Sequence, residues 1–153
     1  MRERPSKDEY YLNIAEAVSE RSTCLRRKYG AVIVKDDEII STGYNGAPRR
    51  AKNCCDMGYC KREQEGIPHG ERYEMCPAVH AEANAIISAS RREMIGAILY
   101  LAGQGADGTS IIDARPCYMC YRLMLNAGIA AVITNDGRKE VTPYEQFTVL
   151  PQQ

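Results

Sequence analysis

Pro77-Ala78-Val79-His80-Ala81-Glu82, answered further along by Pro116-Cys117-Tyr118-Met119-Cys120, is the pair of segments on which the reading of this chain turns. Proline is well placed in the first turn of a helix, because its missing N–H would be unpaired there anyway. Pro77 and Pro116 are therefore read as the first residues of two helices, with His80 and Glu82 in the opening turns of one and Cys117 and Cys120 in the other. Val79, Ala83, Ile86, Ile87 and Ser90 give the first helix an inward face, and the second runs through Leu123, Met124 and Leu125 to a stop at Gly128. Between and after them, Ala97-Ile98-Leu99-Tyr100-Leu101-Ala102 and Ile129-Ala130-Ala131-Val132-Ile133-Thr134 are short apolar runs that read as buried strands. Alternating strand and helix implies an α/β fold, a parallel or mixed sheet with helices packed on it.

Upstream, Leu12, Ile14, Ala15, Ala17 and Val18 recur at helical spacing, so a helix is expected over residues 6–22. Ala31-Val32-Ile33-Val34 and Ile39-Ile40, separated by the polar Lys35-Asp36-Asp37-Glu38, read as a hairpin that ends in the loop Gly43-Tyr44-Asn45-Gly46. From Ala47 to Met75 there is little periodicity, and loops of that length are uncommon unless functional or pinned down. Gly103 to Ser110 reads as a turn-rich loop, and the polar tail Asp136–Gln153, with its apolar Phe147-Thr148-Val149-Leu150, as cover for an edge or an interface.

The 153 residues suit one domain, residues 1–153, with a full core. The charged opening lacks an apolar run and no stretch is long enough for a membrane span, so a cytoplasmic protein is expected. Twenty basic and twenty acidic residues balance to zero, which argues against the electropositive field of a nucleic-acid binder and for a small substrate. Seven cysteines without a secretory leader point to metal or catalysis rather than to a disulfide framework.

His80, Cys117 and Cys120 together make three ligands for a catalytic zinc, which leaves its fourth position for water, whereas a structural zinc is closed by four. The spacing of three puts both sulfurs on one side of a helical turn, and the helix N-terminus favours the thiolate form. Zinc lowers the pKa of a bound water to about 7, and the reaction then needs a proton carrier. Glu82 is suited to that part, since residues two apart do not face each other on a helix and Glu82 need not be a ligand. Taken alone, Cys-x-x-Cys also fits a redox motif and a lone His is usually structural. His-x-Glu together with Pro-Cys-x-x-Cys, each opening a helix, is the signature of the zinc-dependent nucleobase deaminases.

On these residues the chain resembles the cytidine and deoxycytidylate deaminase superfamily, and within it the deoxycytidylate (dCMP) deaminases. The likeness runs from Ser22 to Thr134 through Thr23-Cys24, Gly30-Ala31-Val32-Ile33-Val34, Ser41-Thr42-Gly43-Tyr44-Asn45-Gly46, His80-Ala81-Glu82-Ala83-Asn84-Ala85-Ile86, Pro116 to Cys120, and Asn126-Ala127-Gly128-Ile129. Free cytidine deaminases usually carry Cys in place of the His and lack the Gly-Tyr-Asn-Gly loop. The resemblance implies a three-layer α/β/α fold around a mixed five-stranded sheet. It also implies hydrolysis of dCMP to dUMP and ammonia, with Glu82 carrying protons to N3 and to the departing amine. It places Asn45 and Ala81 against the substrate, Asn45 having the alternative of a turn residue. For the phosphate, the cations near motif residues are Arg26, Arg27, Arg49, Arg50 and Arg115, of which Arg26, Arg49 and Arg115 are taken as substrate contacts. Two departures stand out: Arg115 precedes the Pro-Cys pair where relatives more often carry a small or apolar residue, and the loop from Gly103 to Ala114 is long.

The resemblance further implies a second, structural zinc held by Cys24, Cys54, Cys60 and Cys76, with Cys55 left over and His69 in reserve. The competing reading is a set of free buried thiols. It also implies a homohexamer, with dCTP and dTTP as effectors and Mg²⁺ accompanying the triphosphate. Two other functions fit parts of the pattern: a deaminase acting on RNA or single-stranded DNA, and a non-catalytic nucleotide-binding zinc protein. The presence of Glu82 argues against the last.

Overall fold

In the computed structural model, residues 1–68 and 71–143 are described. Helix α1 spans Lys7–Ser19 and is opened by a capping box: Ser6 Oγ accepts from the Glu9 N–H at 3.1 Å, and the Glu9 carboxylate accepts from the Ser6 N–H at 2.7 Å. It ends three residues earlier than the periodicity predicts. Strands β1 (Arg27–Lys35) and β2 (Glu38–Tyr44) form the expected hairpin, turned by Asp36 and Asp37, both at positive φ. Among the described residues the aperiodic stretch that follows holds two single-turn helices, α2 (Cys54–Met57) and α3 (Lys61–Gln64), and a 3₁₀ turn at Tyr73–Met75.

Helix α4 is Ala81–Ile87, α5 is Arg91–Met94, and strand β3 is Ile98–Gly105, reaching three residues into the expected loop. Helix α6 (Tyr118–Ala127) stops at Gly128 in the left-handed conformation, as expected, and is followed by β4 (Ala131–Thr134). A short strand, β5 (Gly137–Glu140), occupies the start of the polar tail. The apolar Phe147–Leu150 lies outside the described residues.

The sheet order is β2-β1-β3-β4-β5, with β3 and β4 parallel and every other pair antiparallel. It is the mixed five-stranded sheet the resemblance implies. One face is covered by α1, with Tyr11 and Ala15 packed on Val32, Val34, Tyr100, Ala102 and Ile133. The other carries α4, α5 and α6, where Ala81, Ala85, Met94, Met124 and Ala127 meet Ala31, Ile33, Leu99, Leu101 and Val132. Three layers result, and the side chains of the central strands are buried on both faces, which is why they read as continuous apolar runs.

Both helix starts lie later than the prolines indicate. Val79 N–H donates to Gly46 O at 2.7 Å and Gly46 N–H to Val79 O at 3.1 Å, so residues 77–79 are held extended and α4 begins only after His80. This shifts the helix phase: Ala81, Glu82 and Ala85 face inward, while Ile87 is 71% exposed and Ser90 caps α5 instead. Pro116 likewise precedes the cap of α6, which is Cys117.

Gly43 fixes how closely β2 approaches α4. A Cβ there would lie 2.3 Å from Ala85 N and 2.4 Å from Ala81 O, so only glycine lets this strand lie against the helix that carries Glu82.

Candidate active site

His80 and Cys117 are the N-caps of α4 and α6, the residues at which an extended segment turns into a helix on the same face of the sheet. Cys117 Sγ accepts from the Cys120 N–H at 3.5 Å, as a capping side chain does. His80 Nδ1 lies 3.3 Å from Cys117 Sγ and 3.4 Å from Cys120 Sγ. All three donor atoms fall within 4.8 Å of one another. Tetrahedral zinc with bonds of about 2.0–2.3 Å needs N···S separations of about 3.6 Å. The observed spacing fits zinc with an adjustment of a few tenths of an ångström.

Hydrogen bonding to Cys120 and to His80 holds the Cys117 thiol well below the usual thiol range, and the same bond to Cys117, with burial, holds the Cys120 thiol up. His80 is shifted upward by its contact with the Cys117 sulfur. These shifts belong to three donors gathered at one point.

Glu82, on the second residue of α4, is 4% exposed, and burial pushes its carboxyl up from the usual range. His80 outside the helix and Glu82 inside it border one cavity of about 160 Å³, together with Cys117, Ala81 and Asn45. The side chain of Asn45 is tied to the hairpin: Oδ1 accepts from Tyr29 N–H at 2.8 Å and Nδ2 donates to Arg27 O at 3.0 Å. One N–H and one lone pair of that amide are left over. Asn45 is thus a structural residue of the loop as well as a wall of the cavity.

Arg26, Arg27 and Arg115 border the cavity. Arg49 and Arg50 do not: both are exposed, on a turn where Arg50 has positive φ. Sequence reasoning passed over a fourth cation of the cavity, Arg62, and two aromatic walls, Tyr29 and Tyr73. Arg62 lies in the aperiodic segment, where no motif marks it. Among the described residues the lining therefore holds four arginines against one carboxylate, Glu82, in a chain whose net charge is zero.

Cys24, Cys54, Cys60 and Cys76 all border a second, small cavity of about 20 Å³, and Cys24, Cys60 and Cys76 border the main one too. Burial, then the neighbouring sulfurs, push the Cys54 thiol up. Cys55 is exposed and borders neither cavity. Among the described residues only His80, Cys117 and Cys120 reach metal-ligand closeness, and His69 lies outside them.

Residues 5–135 match the family model of the cytidine and deoxycytidylate deaminase zinc-binding region. The deoxycytidylate deaminase of Mycobacterium phage D29 is 42% identical over 135 residues, which cover 85% of this chain and 94% of the phage protein. That of Saccharomyces cerevisiae is 35% identical over 147 residues, 96% of this chain but 42% of the yeast protein. The dCMP deaminase of cyanophage S-TIM5, crystallised with dCMP and dUMP, superposes with a TM-score of 0.58 at 26% identity, covering 87% of this chain and 83% of that one. With His80, Cys117 and Cys120 gathered at one point and His80, Glu82 and Cys117 lining one cavity beside a mixed five-stranded sheet, this chain belongs to the zinc-binding cytidine and deoxycytidylate deaminase family.

Proposed function

We propose that the chain, acting as one domain, hydrolyses dCMP to dUMP and ammonia. The observation that carries the substrate is the cavity lining: among the described residues four arginines and one carboxylate border it, as suits a phosphate-bearing cytosine nucleotide and not a neutral nucleoside. The family and the phage relative support the same reading.

His80, Cys117 and Cys120 would hold the zinc, which when bound lowers the pKa of a water to about 7 and so supplies a nucleophile at neutral pH. Glu82 would accept a proton from the attacking water as the water oxygen bonds to C4, and would pass that proton to N3. It then moves the oxygen's remaining proton to the exocyclic nitrogen, so that C4–N breaks, ammonia leaves and the C4 carbonyl forms. Burial keeps the Glu82 carboxyl easier to protonate than an exposed one, which suits a group that both accepts and donates in one cycle. Asn45 and Ala81 would position the sugar and base, and Arg26 and Arg115 the charged end.

The reading extends to the cysteines: Cys24, Cys54, Cys60 and Cys76 would close around a second zinc, supported by their convergence on one small cavity. A homohexamer, dCTP and dTTP as effectors with Mg²⁺, and a cytoplasmic location with its thiols reduced complete the proposal on the strength of the resemblance. No helix among the described residues is long and apolar enough to cross a membrane.

Ammonia release from dCMP, dCTP, CMP, deoxycytidine and a cytosine-containing oligonucleotide tests the function. Turnover of dCMP in clear preference to the rest is expected. Preference for the oligonucleotide, or release from none, would overturn it.

A further inference from the structure

We propose that Arg62 is the specificity-determining residue of this site, supplying the buried charge that meets the nucleotide phosphate and thereby favours dCMP over deoxycytidine. The inference rests on the reading of the site as a dCMP deaminase and deepens it.

Arg62 is 6% exposed on the single-turn helix α3, yet borders the cavity that holds His80 and Glu82. One terminal nitrogen, Nη2, donates to Pro68 O at 2.9 Å and to Glu71 O at 2.6 Å. Among the described residues its Nε is buried without a hydrogen-bond partner. The guanidinium carbon sits 4.8 Å from the centroid of the Tyr73 ring. Among the described residues no carboxylate lies within ion-pair distance of it. A buried cation is ordinarily paired, because carbonyl dipoles and an aromatic face recover only part of the lost hydration. This one has its Nε enclosed by protein and no carboxylate partner among the described residues, at a wall shared by the substrate cavity and the small cavity of Cys24, Cys54, Cys60 and Cys76.

The other three arginines are differently placed. Arg26 is paired with Glu63 at 3.0 Å, Arg27 is exposed and donates to the Tyr29 hydroxyl at 3.3 Å, and Arg115 is exposed. Their charges are already satisfied by water or by a partner. A phosphate reaching Arg62 gains a partner that is largely desolvated and held by two carbonyls, so less hydration is removed from it than from an exposed guanidinium. A nucleoside brings no anion to that cation, and sites built around a polar partner reject ligands lacking it more strongly than they reject a missing methylene.

A purely structural role is the alternative, since the same side chain clamps the backbone at Pro68 and Glu71. The two are separated by kcat/KM for dCMP and for deoxycytidine in the zinc-loaded wild type, Arg62→Lys and Arg62→Gln, with zinc content and thermal melting measured in parallel. In Arg62→Gln the dCMP value should fall by about 100-fold or more, chiefly through KM, as expected for a charged hydrogen bond lost from binding. The deoxycytidine value should stay within about twofold, so the preference collapses. Arg62→Lys keeps the charge without the fork and should fall between. Where Arg62→Gln does not fold, calorimetric binding of dUMP and of deoxyuridine to wild type and Arg62→Lys carries the test: dUMP should weaken by about tenfold with deoxyuridine unchanged. An equal fall for nucleotide and nucleoside, or an unchanged dCMP value, would show a clamp alone and overturn this inference while leaving the dCMP reading intact. A wild type that turns over deoxycytidine as well as dCMP would overturn both.

Discussion

Replacing Gly43 with alanine should damage the site from the far side of helix α4. Ordinary van der Waals contact to a Cβ begins near 3.4 Å, and the added methyl would lie 2.3 Å from Ala85 N and 2.4 Å from Ala81 O. Both obstacles are backbone atoms, so no side chain can swing aside, and strand and helix must separate by about 1 Å. Overpacking of this kind costs about 1–3 kcal/mol, to be read as a lower midpoint in urea denaturation. The kinetic effect should be larger than that loss implies. Glu82 lies one residue beyond Ala81, and a displacement of about 1 Å in a catalytic group costs about 100-fold in rate. His80 is held through the Gly46–Val79 bridge and the cysteines through α6, so the carboxylate should move relative to the metal ligands. At temperatures where the variant is fully folded, kcat with dCMP should drop by about 100-fold with zinc retained. Stability within about 0.5 kcal/mol of wild type, or normal kcat in a destabilised protein, would refute this account of Gly43.

Other consequences can be checked separately. The Tyr11 hydroxyl donates to the Asp37 carboxylate and carbonyl, and that bond, with burial, pushes its pKa up to about 12. The native state therefore holds this proton more tightly than the unfolded chain, whose tyrosine titrates near 10, so the contribution is intact below pH 10 and lost as pH rises through 12. Denaturation midpoints should fall more steeply over that window in wild type than in Tyr11→Phe, with buried Tyr100 contributing the part that persists; parallel curves would exclude the bond as the cause. Metal analysis should give two zinc per chain, falling to one in Cys54→Ser, and an unchanged stoichiometry would reject the cysteine cluster as a zinc site. Because Cys24, Cys60 and Cys76 border the main cavity as well, loss of that second metal should raise KM for dCMP before it lowers the melting temperature. A fall in melting temperature at constant KM would count against the coupling.

What was legible in the sequence follows from how local each signal is. Cys117 and Cys120 share one turn, Gly128 ends its helix by its own backbone freedom, and Lys35-Asp36-Asp37-Glu38 turns the hairpin within itself, so these could be placed without the fold. The start of α4 could not, because it is set by Val79 pairing with Gly46, which lies 33 residues earlier by the chain numbering. Strand β5 was invisible for another reason: Gly137-Arg138-Lys139-Glu140 has no apolar residue, and it pairs as an exposed edge through backbone hydrogen bonds alone. Gly43 read as part of a loop, though its place is in a strand pressed against a helix. Arg62 carried no pattern at all, since burial beside Tyr73 exists only once the aperiodic segment has folded over the cavity.

The most direct test of the whole account compares wild type with Glu82→Gln on dCMP, measuring dUMP, ammonia and bound zinc in the same samples. Wild type should release one ammonia for each dUMP formed. Glu82→Gln is nearly isosteric, removes a buried carboxyl outside the His80–Cys117–Cys120 cluster, and should keep its zinc and its fold while losing a factor of about 10²–10⁴ or more in kcat. Full activity in that variant, or no dUMP from the zinc-loaded wild type, would contradict the assignment of this cavity as a dCMP deaminase site with Glu82 as its proton carrier.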